Sequence, residues 1–338
     1  MLYTQIFADT EVRDEFLDRF EEIRDTYAAS GGLESVGGLE GLLSVDRAAV
    51  GVQRMIEGTW QRDDSGLEAI VRRFGRPVYL VQRDTVAATA DAPDGRAESQ
   101  VVAARVNAAR DRLDGVLPSV GRVDLRNHRL DWVGTAWMVA EKILVTNRHV
   151  AQEFAVPSQG GFAFRASPMA RVHAYVDWYH EHGRQQESRF KVTEVVWIEP
   201  DSSPCDVALL RVAPSGEEGE SLPAPIPLTS GDDGLTLGRW VGVVGYPDTG
   251  RHDDPEDRLR IFDGIFECKR MAPGQLISFQ GERWIHHDAT TLGGNSGSVV
   301  VDLDTGRALG LHFAGLPKKR NYAVRARDVA RLVRERAS

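Results

Sequence analysis

The sequence predicts a mainly β protein, in which a helix-rich N-terminal module precedes an antiparallel β domain beginning near residue 117. Three observations carry this reading. After Pro118 the apolar runs become short and evenly spaced, with turn residues between them, the pattern of a barrel or sandwich. Before that point apolar residues recur at three- and four-residue intervals, the period of an amphipathic helix. Cys205 and Cys268 are the only cysteines, too few for a disulfide framework, so apolar packing must supply the stability.

Taken in order, Val12, Phe16, Phe20, Ile23 and Tyr27 share one face of a helix over 9–28, capped by Asp9 or Thr10. Glycines at 31–32, 37–38 and 41 mark a loop. Helices are expected near 46–59, with Ala49, Val52, Met55 and Ile56 inward, and over 66–74, ended by Gly75 and Pro77. Residues 77–81 read as a lone strand, 85–97 as a flexible linker and 97–115 as a further helix. Strands follow at 120–125, 133–139, 143–146, 192–198, 207–212, 241–245, 275–279 and 299–303. Val329, Leu332 and Val333 place a closing helix over 326–337. The division is a module over 1–95, a linker and helix over 96–116, and a β domain over 117–338.

Charge and composition narrow the partners. A net charge of −9 gives a nucleic-acid partner no electrostatic support. No run of 18 apolar residues occurs, so no membrane span is expected. The N-terminal residues lack a basic segment followed by an apolar run, which argues against a secretory signal. Together with the cysteine count this points to the cytoplasm.

Three segments of the β domain suit three parts of one mechanism. Two alternating strands, over 134–139 and 143–146, form a hairpin that delivers His149 at its exit, rigidly backed as a general base must be. Asp206 heads the strand 207–212, where a buried carboxylate needs a partner; a histidine would answer that need and be held in one tautomer by it. Gly293-Gly294-Asn295-Ser296-Gly297-Ser298 is a tight turn that exposes the Ser296 hydroxyl. It also gathers the amides of Gly294 and Ser296 into a candidate oxyanion hole. Each segment has an ordinary reading alone: a packed histidine, a strand-start aspartate, a glycine-serine turn. The chain order His, Asp, Ser differs from that of subtilisins and α/β-hydrolases, and the serine turn does not fit a Gly-x-Ser-x-Gly elbow. His180-Glu181-His182 is read as a solvated loop rather than a metal site, and no cofactor or metal is required.

On these residues the chain resembles the trypsin-like (chymotrypsin-fold) serine peptidases, nearest the bacterial branch of glutamyl endopeptidases and HtrA-type enzymes. The matching segments are Thr146-Asn147-Arg148-His149-Val150, Asp206-Val207-Ala208-Leu209-Leu210 and Gly294-Asn295-Ser296-Gly297-Ser298. Val243-Val244-Gly245-Tyr246-Pro247, Gly310-Leu311-His312-Phe313-Ala314-Gly315 and Asn321-Tyr322-Ala323-Val324 support them. The resemblance implies two six-stranded antiparallel β-barrels, with His149, Asp206 and Ser296 as a catalytic triad in the crevice between them. It also implies that Phe313, Ala314 and Gly315 pair with the substrate backbone, and that Thr290, Thr291 and His312 line the pocket for the side chain preceding the scissile bond.

Departures from the family pattern matter. Asn295 stands where animal trypsins keep an aspartate for a freed N-terminal amine, so that mode of activation is not expected. Val150 replaces a disulfide cysteine, and Phe313 replaces a serine that bonds the triad aspartate. Thr290 takes the place of trypsin's specificity aspartate, so Lys/Arg preference is not expected. Thr291 and His312 resemble residues that receive a glutamate carboxylate, with Lys318, Lys319 and Arg320 adding positive potential. A small or apolar preference, with His312 packing beneath the pocket, is the other reading. The expectation is therefore a serine endopeptidase acting on protein or peptide substrates. Residues 1–95 are expected to recruit a regulatory partner or control the enzyme, as in bacterial defence or signalling proteases. The alternative is a catalytically silent peptidase-fold scaffold. Flexible Gly293-Gly294 leaves open whether the oxyanion hole is formed at rest.

Overall fold

The computed structural model describes residues 78–87, 97–166, 170–248, 262, 264–316 and 320–337. The helices expected at 9–28, 46–59 and 66–74, the glycine loop between the first two, and Lys318 and Lys319 lie outside the described residues. Strands β1 (Tyr79–Gln82) and β2 (Thr85–Val86) form a hairpin, followed by helices α1 (Ala97–Ala108) and α2 (Arg110–Asp114). The first barrel then assembles from β3 (Val120–Arg126), β4 (Trp132–Ala140) and β5 (Ile143–Thr146). After helix α3 (Arg148–Phe154) and a small hairpin, β6 (Ala155–Ser158) with β7 (Gly161–Phe164), come β8 (His173–Asp177), β9 (Arg189–Ile198) and β10 (Ala208–Val212). Six of these close as β10-β5-β4-β3-β8-β9, every pairing antiparallel.

The second barrel comprises β11 (Trp240–Gly245), β12 (Arg270–Gln280), β13 (Trp284–His287), β14 (Val299–Asp302), β15 (Ala308–Leu316) and β16 (Arg320–Arg325), before the closing helix α4 (Ala326–Arg336). Its ring runs β11-β14-β15-β16-β13-β12 and closes because the long β12 pairs with β13 at one end and β11 at the other. The expected pair of six-stranded barrels is thus present.

Alternation explains why so many strands read as unbroken apolar runs. In β5, Leu144 points into the first barrel's core while Ile143 and Val145 join a second core shared by both barrels. In β10, Leu210 and Val212 face the barrel and Leu209 the shared core; in β14, Val300 faces its own barrel, Val299 and Val301 the shared core. Strands covered on both faces need apolar residues at every position. That shared core joins the two barrels.

Two local expectations need correction. The strand near 79 is not alone: Tyr79 and Leu80 pair with Met271 and Arg270 of β12. Nor is 85–97 wholly a linker, because Thr85 and Val86 pair with Gln82 and Val81, and Val86 is buried in the shared core. Val102, Val106 and Leu113 of α1 and α2 enter the same core. The 180–182 segment is no solvated loop either. Glu181 is buried and accepts the backbone N–H of Arg83 (2.6 Å) and of Asp84 (3.2 Å). The buried Lys269 ammonium lies 3.4 Å from it.

Candidate active site

The β4–β5 hairpin leads through Thr146 and Asn147 directly into α3, whose second residue is His149. Its Nδ1–H donates to Asp206 Oδ2 at 2.5 Å, and its backbone N–H donates to Asp206 Oδ1 at 3.1 Å. Asp206 is fully buried just ahead of β10, while the His149 side chain keeps 30% of its surface exposed. Burial is the largest single influence on Asp206 and pushes its pKa up. The His149 charge and hydrogen bond, Arg148 and the backbone N–H together outweigh it and hold the carboxyl below its usual range. Asn147 fixes the same residue from behind, its Nδ2 donating to the Asp206 carbonyl at 2.9 Å.

Ser296 sits in the turn that leads into β14, and that turn is bound to the first barrel. The Thr135 N–H of β4 donates to the Ser296 carbonyl (2.9 Å), and the Thr135 hydroxyl donates to the Gly294 carbonyl (3.2 Å). Gly134 lies between the serine turn and α3. A Cβ there would come within 2.9 Å of both the Ser296 carbonyl and the Val150 side chain. Behind the turn, the Gly297 N–H donates to the His312 carbonyl (3.0 Å) and the His312 N–H to Ser298 (2.9 Å). The serine turn is therefore bound to β4, the strand that opens the hairpin leading to His149.

Peptide orientation in the turn is fixed on both sides of Gly294. The Gly293 carbonyl accepts the Asp248 N–H at 2.6 Å, and the Asn295 carbonyl accepts the Ser298 N–H at 2.9 Å. In a trans peptide the N–H points opposite its carbonyl, so the amides of Gly294 and Ser296 face away from those partners. Among the described residues neither amide meets a backbone acceptor. Gly294 adopts a φ of +84°, and a Cβ there would sit 2.4 Å from the Trp132 ring and 2.5 Å from the Tyr246 carbonyl, so glycine is required.

The three residues expected to line the substrate pocket are enclosed by the protein. Thr290, Thr291 and His312 are all buried. The Asn321 amide donates to the Ala289 carbonyl (2.6 Å), which orients its oxygen to accept the Thr291 hydroxyl (2.8 Å). His312 Nδ1 and His287 Nε2 lie 3.3 Å apart. Burial first, and the His149 charge second, push the His312 pKa down to about 3. Phe313 packs its ring 5.6 Å from that of Trp284 and 6.0 Å from that of Tyr322. Pairing of β14 with β15 ends at Leu311, whereas β16 continues beside Ala314 and Gly315. Among the described residues Ala314 and Gly315 thus pair on one side only.

Asn147, Arg148, Thr135, Asp248 and Asn321 were not assigned roles from sequence. Arg148 and Asn147 lie inside the histidine motif, so adjacency to His149 was a signal; the others act through contacts only tertiary structure creates.

Comparison with known proteins agrees with this geometry. A protein in Lysobacter enzymogenes, named a probable serine protease, is 30% identical over 231 residues, covering 61% of this chain and 59% of the relative. A mitochondrial protein of Arabidopsis thaliana, provisionally named protease Do-like 12, is 28% identical over 191 residues, covering 56% of this chain and 31% of the relative. This chain thus spans about three fifths of one relative and under a third of the other. The family described as Trypsin-like peptidase domain matches residues 134–311, a span that opens two residues into the β4–β5 hairpin's glycine-threonine start and takes in His149, Asp206 and Ser296. With the paired barrels and the His, Asp and Ser segments already in view, the chain belongs to the trypsin-like peptidase domain family.

Proposed function

We propose that the protein is a serine endopeptidase that hydrolyses peptide bonds through an acyl-enzyme. The observation that carries this reading is the His149–Asp206 pair, one oxygen on the ring and the other on the backbone, together with a serine turn whose Gly294 and Ser296 amides meet no backbone acceptor among the described residues. In this mechanism Ser296 Oγ attacks the scissile carbonyl while His149 Nε2 takes its proton. Asp206 keeps the ring's Nδ1–H pointing inward and stabilises the imidazolium. The two amides receive the oxyanion; losing one such donor costs about 3 kcal/mol of barrier. His149 then protonates the leaving amine, and water resolves the acyl-enzyme by the reverse sequence. The free side of Ala314 and Gly315 offers the substrate backbone a strand edge.

The pocket favours an uncharged side chain before the scissile bond. The Thr291 hydroxyl proton is committed to Asn321, and His312 is neutral at any pH near neutrality. Among the described residues expected at the pocket, Thr290, Thr291 and His312 give an incoming carboxylate no cation to offset its desolvation.

One experiment tests both statements. Wild type and Ser296→Ala are compared by fluorophosphonate labelling and by cleavage of a peptide library containing matched glutamate and glutamine sequences. We expect labelling and cleavage by wild type alone, with glutamine, small or apolar residues preferred over glutamate. A folded wild type that neither labels nor cleaves would leave the peptidase-fold scaffold as the correct description. Cleavage chiefly after glutamate would overturn the pocket assignment alone.

A further inference from the structure

We infer that Arg148, which nothing in the triad mechanism itself requires, is a positioning residue. It clasps the turn that carries Asp206 and, as a fixed cation beside that carboxylate, weakens the proton affinity of His149. The inference rests on the serine-peptidase reading above and goes beyond it by giving a role to a side chain outside the triad.

Arg148 is the residue before His149 and the first of α3, yet only 3% of its side chain is exposed. A buried guanidinium must have its donors met. Here one nitrogen, Nη1, donates to three carbonyls of a single turn: Pro200 (2.6 Å), Ser203 (3.2 Å) and Cys205 (3.3 Å). Nε lies 3.6 Å from Asp201 Oδ1 and 4.0 Å from Asp206 Oδ1. The guanidinium thus sets one nitrogen on the turn's carbonyls and a second toward its two carboxylates, a two-sided contact that a single ammonium nitrogen does not make. The Asp206 oxygen facing Arg148 is the one that holds the His149 backbone rather than its ring.

The electrostatic consequence has a definite sign. Asp206 stabilises the imidazolium and raises its affinity for a proton; a cation close behind the carboxylate opposes this. Other charged or titratable groups about the pair are Asp201 on the same turn, Glu199 just ahead of it, and His312 from β15. Asp201 is partly exposed and bonded to Gln152 (3.1 Å), and His312 is neutral, so Arg148 is the one buried cation among them. With Arg148 in place His149 stays unprotonated, and able to act as a base, to lower pH.

The test uses full-length wild type, Arg148→Met and Arg148→Lys. Two quantities are followed against pH: the second-order rate of fluorophosphonate labelling of Ser296, and the titration of His149 by NMR. Arg148→Met should move the acid limb and the titration upward by on the order of one pH unit, the effect of one charge a few ångströms away at a protein's effective dielectric. Arg148→Lys should keep the limb near the wild-type position while lowering the rate at every pH, because charge survives and the clasp does not. A merely structural arginine predicts reduced rates with an unmoved limb in both variants, and that result would overturn the inference. If Arg148→Met does not fold, a limb in Arg148→Lys shifted upward by about one unit overturns it equally. If wild type fails to label, the serine-peptidase reading fails; the His149 titration still decides whether Arg148 sets its proton affinity.

Discussion

Gly297, the residue after the candidate nucleophile, shows how tightly single positions are set. Its φ is +88°, and a Cβ on it would stand 2.0 Å from the Thr135 carbonyl and 2.7 Å from the Thr146 hydroxyl. Both obstacles belong to the strands that deliver His149, and the Thr146 hydroxyl is itself bound to the Thr135 carbonyl (2.7 Å). Neither can yield without moving the hairpin. Gly219 offers an internal control, having a φ of +91° and nothing within 4 Å of a built Cβ. The left-handed conformation alone costs an alanine about 1–2 kcal/mol. Gly219→Ala should therefore lose about that much stability. Gly297→Ala should lose several-fold more, read by chemical denaturation, and should lose fluorophosphonate labelling even where it folds. Equal losses at the two sites would mean that the serine turn is not packed against β4 as described.

At the scale of elements, the β1–β2 hairpin shows what sequence could and could not tell. Arg83 and Asp84 both have positive φ (52° and 60°), the left-handed turn that asparagine and glycine normally make. Nothing in Arg-Asp signals such a turn. It is held from outside: Glu181 accepts both turn amides, and the Arg184 guanidinium reaches Glu181 (3.2 Å) and Asp84 (3.1 Å). Lys269, wholly buried, donates to the carbonyls of Leu117 (2.9 Å) and Trp178 (2.8 Å) besides facing Glu181. Removing one member of such a pair strands a buried charge, at about 3–5 kcal/mol. Glu181→Gln should lose that much, and adding Lys269→Met should recover part of it in a double-mutant cycle. Strict additivity would show that the two charges do not interact. Residues 85–97 read as a linker because the paired Thr85 and Val86 are too few to show a strand's period. Buried and solvated charge networks have the same composition, which is why 180–182 reads as a loop. The same cause hid β8 and β13, whose buried Asp177, His286 and His287 break the apolar pattern. By contrast β4, β5, β10 and β14 were legible because apolar cover on both faces leaves continuous Val, Ile and Leu runs. The segments carrying His149, Asp206 and Ser296 can be picked out because each is contiguous, whereas Thr135 meets the serine turn from the other barrel and Asp248 and Asn321 meet it and Thr291 from distant parts of the same one.

For the molecule as a whole, three buried histidines of the second barrel make stability depend on pH in a window above that of Asp206. Burial, and then the Arg320 charge, push the His286 pKa down to about 4; burial pushes His287 well below its usual value, and His312 to about 3. All three are neutral in the folded state. The unfolded chain takes up protons on them near pH 6.5, so between there and their folded values the unfolded state binds more protons and stability falls with pH. Asp206 acts lower down. Its folded pKa is depressed, so its contribution is present above the unfolded value of about 3.9 and is lost only as pH falls through the folded one. Asp206 alone would thus leave the protein unaffected until about pH 4, while the histidines begin to weaken the second barrel about two units earlier. The first barrel cannot escape this, because Val299, Leu311 and Val324 share one core with Val120, Val145 and Leu209. The melting temperature should decline steadily from about pH 6.5 toward pH 4, and more shallowly in His286→Gln, whose amide titrates nowhere in that range. A melting temperature flat down to pH 4.5, in wild type and variant alike, would show that these rings bind protons within the native fold. The neutral His312 wall on which the proposed pocket preference depends would then be lost with it.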